Sequence, residues 1–404
     1  MEFGPILRAL LRNKLGVILI AVQIAFTMTV IVNAIYIINQ RGELMSRPSG
    51  TDESNLFYIR SIGFGENFNE ELTVADDLGR LRQMPGIVDA TVINTVPVSN
   101  SGSSSGFSLE PGALESIVPS AIYRADHRSL NTMGLELIAG VDFTEADVLT
   151  RPQSSNTDAD TVIITQALAE ELFPEGGAQA AVGQSIYTPS QQAIRVIGVV
   201  RQLQAPWTLW PDIENSVISP EIVIDGSSLY LIRTEPGEQD RLMPAVEEML
   251  AASNQQRILR QLRTMSDTRE ESYRIDSVMT RILSVVIVTL VFITAMGIVG
   301  LAVFSINRRR KQIGTRRALG ATQGSILRHF LLENAIISGI GVIAGAVLTI
   351  AFNIFLVQTF NMPRIGWYYV PAGMLALLLV GQLAVIGPSR AASRITPALA
   401  TRSV

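Results

Sequence analysis

The 404-residue chain contains no cysteine, so neither a disulfide nor a thiolate metal site can be built from it. Histidine is almost as scarce. His127 and His329 lie far apart on either side of a long apolar run, which leaves no imidazole pair for metal or nucleophile chemistry. Lysine occurs twice, as Lys14 after Asn13 and Lys311 after Arg310. A P-loop requires Gly-Lys-Ser/Thr, because its lysine neutralises phosphate charge, and neither lysine has that setting. No P-loop engine is therefore written in these residues.

Long apolar runs, by contrast, are abundant. Residues 15–38, 282–306, 330–357 and 370–386 each approach or exceed the roughly 20 residues needed to cross a bilayer core. Three hold no charge. The third begins near Glu333, which reads most simply as an acid at the interface or facing the bundle, and more sharply as a proton relay. Arg8, Arg12 and Lys14 before the first run give it the look of a signal peptide. Its uncharged stretch is longer than a signal core of about 7–15 residues, and no clear small-x-small cleavage site follows before Gln40. A retained anchor is expected.

Cations near the ends of the runs orient the chain. The N-terminal stub has Arg8, Arg12 and Lys14. The loop after the second run has Arg308, Arg309, Arg310, Lys311, Arg316, Arg317 and Arg328, and the tail has Arg390, Arg394 and Arg402. All three fall on one side if spans at 15–38, 281–306, 330–357 and 370–387 alternate. That places segments 1–14, 307–329 and 388–404 in the cytoplasm. Residues 39–275 and the short loop 358–369 then lie outside, where Trp367, Tyr368 and Tyr369 suit the outer interface.

The outer segment 39–275 holds 33 acids against 17 arginines and no lysine, a formal charge of −16. Such a surface disfavours nucleic acid and anionic lipid as ligands. Strand, helix and strand signals run at 56–60, 74–84 and 88–98 and recur at 228–234, 239–252 and 257–265. They predict one α/β subdomain built from both flanks, 39–98 and 225–265, around a β-rich insertion at 99–224. Within the insertion, the Ser/Gly-rich stretch 100–106 reads as a mobile loop, and Pro206, Trp207, Trp210 and Pro211 as a packed loop or a partner-binding lip.

Residues 266–280 lack Gly and Pro and place Ile275, Val278, Met279 and Ile282 at the i, i+3, i+4, i+7 spacing of one helix face. A helix running unbroken over 266–306 would measure about 60 Å and make a rigid stalk. The alternative is a break near Asp276. Gly297 and Gly300 in the second span, with Gly341 and Gly345 in the third, follow the small-residue pattern of close helix contacts, either within one chain or at a dimer face.

The order of one span, a large outer segment, a second span, the loop RRRKQIGTRRALGAT and two closing spans resembles the MacB-like, FtsX-related permeases of ABC transporters. The resemblance covers nearly the whole chain and includes MPGIV from Met84, TQALA from Thr165, VIGVV from Val196 and the tail PSRAASRITPALATR from Pro388. It implies an α-helical membrane protein with four transmembrane helices and a large extracytoplasmic α/β, Porter-like domain carrying a β-rich, Sabre-like insertion. It also implies that residues 314–325 form a cytoplasmic coupling helix on an ATPase. There Gly314 would open the helix, Arg316 and Arg317 would make polar contacts, Ala318 and Leu319 would enter a cleft, and Gly320 would end the turn. Gln312 departs from the pattern, standing where the family usually has an acid.

On this reading the chain is no enzyme alone and holds no cofactor. ATP and Mg belong to a separate cytoplasmic ATPase dimer. A second permease chain is required, and a periplasmic membrane-fusion protein with an outer-membrane channel is a further candidate partner. The expected role, in a bacterial inner membrane, is mechanotransmission that exports a peptide, antibiotic or lipid-linked substrate. The alternative is an FtsX-like regulator that activates a cell-wall hydrolase.

Overall fold

A computed structural model describes residues 14–155, 157–360 and 363–395. Arg8, Arg12 and Arg402, used above for topology, lie outside the described residues, as does the tail from residue 396. In chain order the elements begin with helix α1 (Lys14–Met45), β1 (Leu56–Gly63), α2 (Glu70–Gln83), β2 (Ile87–Ile93), β3 (Ser103–Phe107) and β4 (Val118–Ala125). Next come α3 (Ser129–Met133), β5 (Leu137–Gly140), β6 (Leu149–Pro152), β7 (Thr161–Thr165), α4 (Gln166–Leu172), α5 (Gly177–Ala181), β8 (Ser185–Tyr187) and β9 (Ala193–Val200). The chain continues through β10 (Ser216–Ile224), β11 (Ser227–Thr234), α6 (Gln239–Ser253), β12 (Arg257–Thr264) and α7 (Met265–Ser272). It closes with α8 (Arg274–Arg308), α9 (Arg310–Ala318), α10 (Gln323–Phe360) and α11 (Tyr369–Ser393). Two compact units result, Ser46–Ile275 and the combination of Met1–Met45 with Asp276–Val404.

In the first unit, the two flanks supply a four-stranded antiparallel sheet in the order β12-β1-β11-β2. Its β1-α2-β2 and β11-α6-β12 units make a ferredoxin-like split βαβ arrangement. Alternation within the strands decides which side is covered. Phe57, Ile59, Val92, Tyr230 and Ile232 point to one face, where Val74, Leu78 and Leu81 of α2 and Leu242, Val246 and Leu250 of α6 seal them. Each such side chain contributes roughly 1.5–3 kcal/mol when fully buried. One ion pair lies beneath these helices: Arg257 and Asp77 are almost fully buried and joined, with Tyr230 donating to Asp77 at 2.7 Å. That pair locks α2 and α6 to β12.

The remaining strands continue from β2 through the single pairing Ile93 to Ala125. Six of them close on themselves. β3 pairs with β4, β4 with β10, β10 with β7, β7 with β9 and β9 with β8. Ser108 and Tyr187 then exchange two backbone hydrogen bonds, at 3.1 and 2.8 Å, which join the β3 end back to β8. Phe107, Ile122, Val162, Ile194, Val196 and Val217 fill the interior, and α4 caps one end with Leu168 and Leu172.

Two expectations need correction in this unit. Ser103–Phe107, assigned to a mobile loop on composition, is a strand, because its backbone pairs with β4 over five residues and needs no branched side chains to do so. The unbroken helix over 266–306 is interrupted at Tyr273. Tyr273 is 3% exposed, and its hydroxyl accepts from Gln204 at 3.4 Å. Around it the α7 turn is held by Tyr58 and Thr268 at 2.9 Å, by Arg269 on Glu53 at 2.8 Å and by Ser272 on the Val98 carbonyl. These side-chain anchors fix the last turn of α7 in a geometry that α8 does not continue. Of the aromatic loop, Trp207 packs against the unit's main core and stacks on Trp210 at 4.5 Å, the arrangement of a packed loop.

The second unit consists of four apolar helices long enough to span a membrane, with α9 between the second and third. α1 is the central one. Gly341 and Gly345 of α10 face it so closely that a Cβ on either would sit 2.8 Å from Ile24 or Met28. Their small-xxx-small face is therefore used within the chain. Gly297 faces Gln23, while Gly300 meets nothing within 4 Å. Polar contacts add to the packing: Thr27 bonds Thr294 at 2.8 Å, Asn334 donates to the Gly381 carbonyl at 3.0 Å, and Tyr36 donates to the Pro363 carbonyl at 2.6 Å. Helices exceed the apolar runs at both ends. α10 starts at Gln323 and α11 ends at Ser393, the latter running on through Pro388.

Candidate functional site

α9 forms between two sharp interruptions, at Arg309 and at Gly320. Gly320 has φ 96°, a left-handed conformation in which glycine carries no Cβ penalty, and it ends the helix with Ala321 donating to the Arg316 carbonyl at 3.0 Å. The helix of the basic loop is thus Arg310–Ala318 and does not run over 314–325. A new helix begins at Gln323, its first turn capped by the Thr322 hydroxyl on the Ser325 amide at 3.2 Å.

One side of α9 is glued to the bundle. Ile313 joins Ile306, Ile326, Phe330 and Ala392 in a small apolar cluster. Arg317 turns inward and donates from Nη1 to the Ser393 carbonyl at 2.6 Å, satisfying an orphan group at the C-terminus of α11. Next to it, Arg309 pairs with the nearly buried Glu333 at 3.1 Å, so that acid faces the bundle with a partner.

The other side is open. Arg316, Ala318 and Gly320 are exposed, and Leu319 is 83% exposed, an unusual setting for a large apolar side chain. Of the six residues singled out for ATPase contact, four therefore share an accessible knuckle. Gly314 is buried, and Arg317 serves the fold of this chain. The sequence offered no signal to separate Arg316 from Arg317, since both are cations in one run. At the other end of the unit, Arg41 of α1 and Asp276 of α8 form a 2.8 Å ion pair that composition alone did not reveal. Ile275, Val278, Met279 and Ile282 of α8 are exposed.

The MacB-like periplasmic core domain family matches residues 16–249, and the FtsX-like permease C-terminal family matches residues 284–397. The chain belongs to the MacB/FtsX-like ABC transporter permease family. The uncharacterized ABC transporter permease YknZ of Bacillus subtilis strain 168 is 22% identical over 68% of this chain and 67% of its own length. The macrolide export ATP-binding/permease protein MacB of Mannheimia succiniciproducens is 22% identical over 96% of this chain, but the match spans 59% of that relative. Among solved structures, the periplasmic region of MacB from Actinobacillus actinomycetemcomitans aligns with 57% of this chain and 98% of its own, at 17% identity and a TM-score of 0.35. As a MacB/FtsX-like permease, the chain is a membrane protein with an extracytoplasmic domain.

Proposed function

We propose that this permease converts ATP hydrolysis by a separate cytoplasmic ATPase into movement of its outer domain. The observation that carries the reading is the knuckle of Arg316, Ala318, Leu319 and Gly320, which projects an apolar tip and a cation from a helix fastened to two spans. An apolar tip enters a cleft by the hydrophobic effect, and the adjacent charge gives the contact its orientation. The ATPase binds ATP and Mg, both termini of the permease lie in the cytoplasm, and two permease chains assemble with an ATPase dimer.

In this proposal, force enters at α9 and passes to α10 and α11 through the Ile313 cluster and Arg317. It then moves α8, which is tied to α1 by Arg41 and Asp276, and leaves through the Val278 face and α7. The cargo is engaged outside the bilayer. MacB relatives are named for macrolide export, and an amphipathic antibiotic, peptide or lipid-linked molecule is the class we assign. Purification of this permease with candidate ABC ATPases tests the reading. A stable complex whose hydrolysis rate rises on assembly is expected, and failure to bind any of them would remove the proposal.

A further inference from the structure

The closed ring β3-β4-β10-β7-β9-β8 is open at the end opposite α4 and encloses a cavity of about 300 Å³ there. That volume lies at the low end of the range of about 300–1,000 Å³ for small-molecule sites. Its floor is apolar, made by Phe107, Ile122, Val162, Ile194 and Val217. The lining also holds hydroxyls from Ser104, Ser105, Thr188, Ser190 and Ser219, and charged groups from Arg124, Asp158 and Glu221.

The mouth is a built arrangement. Glu221 is 2% exposed and has both oxygens occupied: Ser219 donates at 2.6 Å and the Ala159 amide at 3.2 Å to one, and Arg151 donates at 2.9 Å to the other. Arg124 lines the cavity and is held there by an ion pair, its Nε 3.2 Å from a Glu221 oxygen. Asp158 keeps acceptor capacity, since its nearest cation, Arg151, is 3.6 Å away. Burial, followed by the nearby Glu221 charge, holds its carboxyl above the usual carboxylate range. With Arg151 behind Glu221 and Asp158, two arginines and two acids leave this end of the barrel formally neutral.

We infer that this barrel binds a small apolar molecule with a neutral head that accepts a hydrogen bond from Arg124 and donates one to Asp158. A primary amide on a hydrocarbon or aromatic body has that chemistry. A head of either net charge gains nothing from a neutral mouth and loses hydration on entry. The inference concerns the outer domain alone, so loss of the ATPase proposal would leave it standing.

Because the chain has no cysteine, one introduced thiol reports one site. Full-length protein in nanodiscs is prepared as Val217→Cys, inside the barrel, and as Val246→Cys, equally buried on the sheet-facing side of α6. N-phenylmaleimide should label Val217→Cys about tenfold faster, because that thiol lines the cavity. 1-Naphthaleneacetamide should slow this labelling about threefold, the effect of occupancy at roughly twice Kd. Adding Arg124→Met should remove the protection. If Val217→Cys does not fold, Ser105→Cys at the mouth carries the same protection measurement. Absence of protection at the cavity thiol, or protection that survives Arg124→Met, would overturn the assignment.

Discussion

Arg317 donates to the main-chain carbonyl of Ser393 at 2.6 Å, so a residue of the basic loop is bonded to the end of the last span. Its neighbour Arg316 is exposed. The two cations therefore stand in different settings, and substitution separates them. Arg317→Ala should lower the thermal midpoint of the purified permease, through loss of a charged hydrogen bond of about 1.5–3 kcal/mol. Arg316→Ala should leave that midpoint within the about 0.5 kcal/mol typical of surface changes and weaken ATPase binding instead.

Leu319 makes a second prediction about the same knuckle. With 83% of its surface exposed, replacement by Glu removes no internal packing. Leu319→Glu should fold normally and reduce ATPase affinity by about 2 kcal/mol or more, the loss expected when an apolar anchor becomes a charge in a desolvated pocket. Titration of the ATPase against permease in nanodiscs measures it, and unchanged affinity would exclude this surface.

The glycines of the spans give a stability prediction with an internal control. A side chain at Gly345 collides with Met28 and with the backbone at Ala25, whereas one at Gly300 meets nothing within 4 Å. Gly345→Val should destabilise by about 1–3 kcal/mol, the usual penalty for overpacking. Gly300→Val should be close to neutral, and equal thermal midpoints for the two variants would contradict the helix arrangement.

Within the outer domain, Asp77 and Arg257 are paired with almost no exposure. Arg257→Met leaves a buried carboxylate without its cation, at a cost of about 3–5 kcal/mol. Urea unfolding should show that loss, while the double change Asp77→Leu with Arg257→Met should recover part of it.

Asp147 supplies a pH test. Its carboxylate accepts from the Thr144 hydroxyl and amide, at 2.6 and 2.8 Å, and these bonds, the hydroxyl first, hold its pKa below the ordinary value. A depressed folded-state pKa contributes stability above the unfolded value of about 3.9 and loses it as pH falls through the folded one. The stability gap between the parent and Asp147→Asn should therefore be constant near neutrality and shrink steadily below about pH 4.

Much of this architecture is legible in the residues, for identifiable reasons. Four apolar runs announce the spans, and the recurring strand-helix-strand grammar of the flanks announces the α/β sheet, because both signals are local and periodic. The barrel is not legible. Its closure depends on Ser108 meeting Tyr187, and β3 is a strand of serine and glycine without β-branched residues. The break at Tyr273 is likewise set by distant partners, Gln204 among them, that no local pattern encodes. In the basic loop, charge marks the candidate coupling site, while packing of α9 on Ile326, Phe330 and Ala392 decides which side is free.

The central claim is that movement passes from α9 through α8 to the outer domain, and one measurement tests it most directly. Spin labels on Glu66→Cys, an exposed outer-domain position, report the distance between two permease chains assembled with their ATPase. ATP should shift that distance distribution in the parent. Val278→Pro, which removes a backbone hydrogen bond in α8 at about 3 kcal/mol, should retain hydrolysis but abolish the shift. An outer-domain distance that ignores ATP in the parent, or moves just as far in Val278→Pro, would contradict the account.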